Sequence, residues 1–223
     1  MNHFDYCAQF IIPSDSILDV GSGRGEFLME MVKRGFDVYG LEINPEYIYK
    51  SKKRAAELAL NPHIIEGSGE AIPFSDNYFS FVNCAEVTEH VNDPTKVCRE
   101  IYRVLGSHGK GYVSFHNRFG FFDYHYHLPF INWLPRLLAQ KMLEFVGREK
   151  EDGANGLQRL STMHYYTYGQ VRHLLEEIGF KVVDTREEKI KNEFGAFSWL
   201  VLFFYKLLAR PFYFNSFHMI VEK

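Results

Sequence analysis

One stretch constrains this chain more than any other. Ser16 to Val20 (SILDV) is a short apolar run, and it leads directly into Gly21-Ser-Gly-Arg-Gly25. Glu26 to Arg34 (EFLMEMVKR) then carries apolar residues at helical spacing and stops at Gly35. A buried strand, a tight glycine turn and a helix form a unit whose backbone a ligand can approach closely, because glycine lacks Cβ and tolerates positive φ. Asp37 to Leu41 (DVYGL) predicts a second strand, ending in Glu42. That is where a carboxylate can accept both hydroxyls of a ribose. The glycines are spaced G-x-G-x-G, shorter than the G-x-G-x-x-G of dinucleotide sites. The shorter turn fits a nucleoside ligand without a pyrophosphate.

The same alternation continues. Asn44-Pro45 opens a helix to about Leu60, and His63–Glu66 and Tyr78–Cys84 predict two more strands. A helix over Pro94–Leu105, stopped by Gly106, precedes a strand over Gly109–His116. Asn117–Ser161 breaks the pattern, although Trp133–Phe145 has helical spacing. A helix over Tyr168–Ile178, a strand over Phe180–Thr185, an irregular or helical insert over Asn192–Arg210 and a strand over Ser216–Val221 complete the chain. Strands alternating with helices imply a parallel sheet with right-handed crossovers.

Composition sets the limits. The 223 residues predict one domain over 1–223, with inserts at about 118–160 and 191–214. A hydrophobic content of 46% excludes disorder. A net charge of −3 disfavours a nucleic-acid partner without excluding one basic groove. Cys7, Cys84 and Cys98 show no disulfide spacing, and Met1–Phe10 has neither the basic nor the apolar part of a leader, so the expected compartment is the cytosol. Aromatics are abundant, and 17 of the 37 lie in residues 119–134 and 194–217. Those inserts suit a lid over a flat or apolar acceptor, a membrane-docking surface, or a homodimer face.

The stretches ILDVGSGRGEFL, VYGLEINPEYI and EGSGEAIPFSDNYFSFVNCAEVTEHV resemble the class I S-adenosylmethionine-dependent methyltransferases. The resemblance covers Ser16–His116 closely, and Tyr166–Phe180 and Ser216–Lys223 loosely. It implies an α/β fold: a Rossmann-like, seven-stranded, mostly parallel sheet flanked by helices, with aromatic-rich inserts after strands five and six. It implies S-adenosylmethionine as cofactor, its methionine part held by Asp19, Gly21 and Gly23, with Ser22 also in the binding turn, its ribose by Glu42 and its adenine flanked by Ile43. Ser68, Gly69, Glu70 and Cys84 complete the implied cofactor set. Ser68 stands where the family often has Asp, so it would bond the adenine amine without charge.

Glu86, Glu89 and His90 follow the fourth strand. If the chain turns into a helix there, the three project from one face and offer oxygen and nitrogen to Mg²⁺, Mn²⁺, Zn²⁺ or Fe²⁺. The alternative is a solvated helix start, where acids favour the dipole. The stretch E-V-x-E-H-V is similar to the metal-binding segment of ubiquinone-biosynthesis O-methyltransferases and of the 2′-O-methyltransferases of small-RNA 3′ ends, and that similarity implies His164 as a further ligand. A metal would activate an acceptor hydroxyl; without one, His90 or His116 would be the general base. His125 and His127 are also possible ligands, but alternation within an aromatic run predicts both on one exposed face. The leading expectation is therefore a methyltransferase acting on a hydroxyl of a small or apolar acceptor. The alternatives are a nicotinamide-dependent oxidoreductase and a cofactor-binding protein without catalysis.

Overall fold

The computed structural model describes residues 2–12, 15–148, 150–152 and 156–223. Seven strands form one sheet: β1 (Ser16–Val20), β2 (Asp37–Glu42), β3 (His63–Glu66), β4 (Phe79–Cys84), β5 (Leu105–His116), β6 (Lys181–Asp184) and β7 (Ser216–Glu222). Their spatial order is β6-β7-β5-β4-β1-β2-β3. β7 runs antiparallel to both β5 and β6, and every other neighbouring pair is parallel. The order reverses direction at β1, which opens a crevice at the strands' carboxyl ends beside the glycine turn.

Eight helices accompany the sheet among the described residues: α1 (His3–Ala8), α2 (Glu26–Lys33), α3 (Pro45–Glu57), α4 (Pro94–Val104), α5 (Arg136–Phe145), α6 (Tyr168–Ile178), α7 (Thr185–Phe194) and α8 (Ser198–Phe204). α4 shows why these segments are helical. Asp93 caps its first turn, Pro94 occupies the position where no N–H is needed, and Val97, Cys98, Ile101 and Val104 make one buried stripe. That stripe joins Leu18, Val82 and Val113 in one core cluster. A second cluster, around Phe27, Leu28, Met31 and Phe81, includes Cys7 and Ile11 near the N-terminus. Burying each of the larger side chains contributes about 1.5–3 kcal/mol.

Several boundaries differ from the sequence expectation. β5 begins at Leu105, not Gly109, because the chain pairs at Phe79–Leu105 and then bulges before Phe81 meets Lys110. The fourth strand starts at Phe79, and the sixth ends at Asp184. Asp184 ends it because its side chain accepts from the backbone N–H of Arg186 and Glu187 and starts α7. The second insert is therefore helical from residue 185, six residues earlier than expected.

The first insert contains a hairpin pairing Phe122–Asp123 with Leu128–Pro129, then α5, then a second small hairpin. Residues 149 and 153–155 of the expected 118–160 insert lie outside the described residues. Tyr126, Ile131, Ala139, Leu143, Leu160, Met163 and Tyr165 give this insert a small core of its own. Among the described residues, no helix is long and apolar enough to cross a membrane.

Candidate active site

The glycine turn is built from its backbone outward. Gly21 and Gly25 have φ of +66° and +78°, where a side chain is strained. Space is also closed at both: a Cβ would lie 2.4 Å from Val87 Cγ2 at Gly21, and 2.4 Å from Ser51 Oγ at Gly25. The N–H groups of Gly21 and Ser22 donate to the Leu41 carbonyl, tying the turn to the end of β2. Glu42 completes the tie. Its Oε2 accepts from Gly23 N–H at 2.8 Å, and its Oε1 accepts from Ile43 and Asn44 N–H at 2.9 and 2.8 Å. The carboxylate is thus fixed at the crevice with lone pairs to spare. Ile43 beside it is 57% exposed although apolar, as a residue that covers a flat ring would be.

Asp19 lies buried at the end of β1, with its Oδ1 accepting from Asn83 Nδ2 at 2.7 Å. His3 in turn donates to Asn83 Oδ1 at 2.9 Å. Burial pushes the Asp19 carboxyl up to about 7; the Asn83 bond opposes that and the Glu42 charge adds to it. The buried Ser22 Oγ has no protein partner. Ser68 accepts from the Glu70 N–H at 3.1 Å, and Gly69 lies so close to Val20 that a Cβ there would stand 2.9 Å from its Cγ1. Two implied cofactor positions have other work. The Glu70 carboxylate accepts from Asn92 and Asp93 N–H and braces the start of α4. The Cys84 side chain belongs to the apolar core, and burial raises its thiol.

The second part of the site lies just beyond β4 and β5. Residues 86–90 do not form the expected helix. Glu86 sits at φ +57°, and His90 N–H closes a turn on the Val87 carbonyl. The three side chains therefore do not share a helical face. Glu86, Glu89, His116 and His125 converge instead, each offering a ligand atom within 4.8 Å of the others. His90 Nε2 is 3.6 Å from Glu89 Oε1, adjacent to this set rather than within it. His164 meets Glu89 through its backbone, its N–H donating to the Glu89 carbonyl at 3.1 Å, and its side chain is not in the set.

His125 corrects the expectation about the aromatic run. Residues 124–127 are the turn of the first insert's hairpin, not a strand. Asp123 Oδ1 accepts from Tyr126 N–H, and His127 takes φ +53°, so the two histidines part. His127 is exposed, while the His125 ring packs on His116 with centroids 4.5 Å apart.

The cluster's electrostatics are those of two charges drawn together. Burial alone would raise the Glu89 carboxyl. The His116 charge and hydrogen bond, then those of His125 and His90, hold it below the usual carboxylate range. Burial alone would lower His116; Glu89, then Glu86 and Asp123, raise it to about 9. Glu86, half exposed at the cluster's rim, is raised by partial desolvation and the Glu89 charge. The contacts to Glu89 are poorly aligned or long: His116 Nδ1 is 3.2 Å and His125 Nε2 3.8 Å from Glu89 Oε1, and neither these nitrogens nor the two buried Glu89 oxygens make a well-formed hydrogen bond. Buried polar atoms are seldom left so, and a bound cation is one standard explanation.

Residues 18–113 match the methyltransferase domain family. A ubiquinone/menaquinone biosynthesis C-methyltransferase of Rickettsia prowazekii is 34% identical over 105 residues, covering 44% of this chain and 42% of that protein. A SAM-dependent methyltransferase of Methanosarcina mazei superposes with a TM-score of 0.64 at 19% identity, over 100% of this chain and 99% of that one. Residues 18–113 thus resemble a methyltransferase domain, and the whole chain has the fold of the SAM-dependent methyltransferases. The [4+2]-cyclase SpnF shares the fold too, with a TM-score of 0.61 at 15% identity, over 99% of this chain and 79% of that one. This likeness shows the fold alone. The chain spans less than half the length of the curated relatives it matches.

The match to the methyltransferase domain family ends at residue 113. His116 and His125 lie beyond it, so the cluster joins the shared frame to the first insert. Sequence reasoning missed its supports. Ser114 Oγ accepts from Glu86 N–H at 2.8 Å. Asp123 is fully buried, and its Oδ2 accepts from Asn132 Nδ2 and Tyr165 Oη at 2.7 and 2.8 Å. The only sequence signal for Asp123 was an acid inside an apolar run.

Proposed function

We propose that the protein is an S-adenosylmethionine-dependent methyltransferase that acts on a hydroxyl oxygen of a small, apolar or ring-bearing acceptor, with a divalent cation at the Glu86–Glu89–His116–His125 cluster. The observation that carries this reading is the buried, unsatisfied Glu89–His116–His125 group at the same sheet edge as the glycine turn. Two carboxylates and two imidazoles suit Mn²⁺, Fe²⁺ or Zn²⁺ better than the all-oxygen preference of Mg²⁺.

The cofactor, when bound, supplies a methyl group on a sulfonium centre, open to in-line displacement. The protein's task is alignment. Glu42 and the turn's backbone would hold the ribose, and Asp19 with Gly21 and Gly23 the amino-acid end. A cation, when bound, would lower the pKa of the acceptor hydroxyl. Glu89 would orient the imidazoles around it. His90, 31% exposed and 3.6 Å from Glu89, would take the hydroxyl proton at Nε2, the Glu89 charge favouring the imidazolium. His116 suits this less, because an imidazole that holds the cation through one nitrogen carries its proton on the other.

A second reading, transfer to carbon, is favoured by the Rickettsia relative, whose name states C-methylation. The experiment is methyl transfer from labelled S-adenosylmethionine to a panel of quinols, phenols and alcohols. Wild type and Glu89→Gln are compared, with metal content measured on both. The reading expects methoxy products, bound transition metal in the wild type, and a loss of both metal and turnover of at least ~100-fold in Glu89→Gln. Ring-methyl products would assign carbon instead. A wild type free of metal whose turnover survives chelators would remove the cation.

A further inference from the structure

The first helix reaches Asp19 through one side chain. α1 is tied to its surroundings at several places. Asp5 pairs with Arg34 at the end of α2 at 2.7 Å, and the Tyr6 hydroxyl donates to Glu188 on α7 at 2.6 Å. Cys7 is buried in the core cluster of Phe27 and Leu28. Anchored in this way, α1 sets the His3 ring against the sheet. Its centroid lies 4.3 Å from that of Tyr112 and 5.5 Å from that of Phe27, on which it stacks. A phenyl ring would fill this space as well, but it has no N–H to offer.

The N–H has a specific use. His3 Nε2 donates to Asn83 Oδ1 at 2.9 Å, and Asn83 Nδ2 donates to Asp19 Oδ1 at 2.7 Å. Asn83 and Asp19 are buried register partners on β4 and β1. An amide can turn either its oxygen or its nitrogen towards a neighbour. The His3 N–H engages the oxygen, so the nitrogen faces Asp19. The resulting bond to a carboxylate is charge-assisted, and it leaves Asp19 Oδ2 for a ligand.

We propose that His3 is a positioning residue for the cofactor: it fixes the Asn83 amide so that Asp19 offers an ionised carboxylate to the ammonium group of S-adenosylmethionine. This deepens the methyl-transfer reading and rests on it. Hydrogen bonds in series polarise one another, so the His3 bond strengthens the bond that Asp19 accepts. Without His3, the buried Asn83 oxygen loses its donor. The amide then gains by turning over and accepting a proton from Asp19, which favours the neutral carboxyl. Nothing else around Asp19 replaces Asn83. The other titratable groups facing it are Glu42 from β2, Cys7 from α1 and Cys84 from β4. Glu42 opposes ionisation, and burial keeps both thiols neutral. Around His3, burial keeps Tyr112 and His218 uncharged, and it lowers His3 itself, so the imidazole acts as a neutral donor.

The test is calorimetric titration of the full chain with S-adenosylhomocysteine between about pH 6 and about pH 8.5. Wild type is compared with His3→Phe, which keeps a ring and loses the donor, and with His3→Gln, whose amide restores a donor. Wild-type affinity should rise through about pH 7. In His3→Phe that midpoint should move to about pH 8, weakening binding about fivefold at about pH 7 and less than about twofold at about pH 8.5. His3→Gln should restore the wild-type midpoint. Tyr6→Phe frees α1 from Glu188 without touching His3 and should leave the midpoint in place. The role of His3 is overturned by a midpoint that His3→Phe does not move, by an equal loss at every pH, or by a midpoint that Tyr6→Phe moves as far. Any of these with normal wild-type binding leaves the methyl-transfer reading standing. A wild type that binds no S-adenosylhomocysteine at any pH overturns that reading, and the role of His3 with it.

Discussion

At the residue scale, the proposed cofactor cradle rests on the side chains of Glu42 and Asp19. Glu42 has two tasks: it presents a carboxylate to the crevice and it satisfies three backbone N–H groups. Glu42→Ala should therefore reduce S-adenosylhomocysteine affinity at least ~10-fold, about 1.4 kcal/mol. It should also lower folding stability by about 1–3 kcal/mol, measured by urea unfolding, because buried donors lose their acceptor. Asp19 makes the site sensitive to pH. Its carboxyl is raised to about 7, so it ionises only as pH climbs through that value. The ligand's α-ammonium is attracted to the ionised form. Affinity should rise as pH rises through about 7, and Asp19→Asn should flatten the profile in calorimetric titrations. The sign for folding is opposite. A carboxyl raised in the folded state favours folding when protonated, so the apoprotein loses that contribution between about pH 4, the unfolded value, and about 7. Glu42 was legible in the sequence because a strand end and a fixed spacing define its place. His125 was not, because the sequence gives no sign that residues 124–127 turn rather than alternate.

At the scale of elements, the glycine turn and the turn after β4 lean on each other. A Cβ at Gly21 would meet Val87, and Val87 lies between Glu86 and Glu89. Gly21→Ala should cost about 1–2 kcal/mol from its positive φ alone, and should disturb the cation cluster as well. Adding Val87→Ala should restore the clash part and not the φ part. A double-mutant cycle of thermal stability and metal content would show a coupling of ~0.5 kcal/mol or more; strict additivity would contradict the contact. Helices with caps and apolar stripes, such as α4 and α6, were legible: the latter has a capping box from Thr167 to Gln170 and stops at Gly179. The start of β5 was not. Gly106 reads as a helix stop, yet Leu105 already pairs with Phe79, and a bulge absorbs the next residues. Glu86–His90 failed for a related reason. A period of three to four residues fits a helix, but the backbone there turns through a left-handed Glu86.

For the whole molecule, alternation implied a parallel sheet and the family resemblance implied seven mostly parallel strands; the spatial order and the antiparallel β7 come from the structure. The sheet's shared frame carries the glycine turn, and the inserts carry much of the aromatic excess and one cluster histidine. Long-range convergence is what a local pattern cannot show: His116 ends β5 and His125 comes from a hairpin, yet both meet Glu89. The central claim is that the crevice at the glycine turn holds S-adenosylmethionine. Isothermal titration of the purified chain with S-adenosylhomocysteine tests it most directly. The account predicts saturable one-to-one binding, weakened at least ~10-fold in Glu42→Ala, and none with NADH. Binding of NADH in place of S-adenosylhomocysteine, or binding indifferent to Glu42, would contradict it.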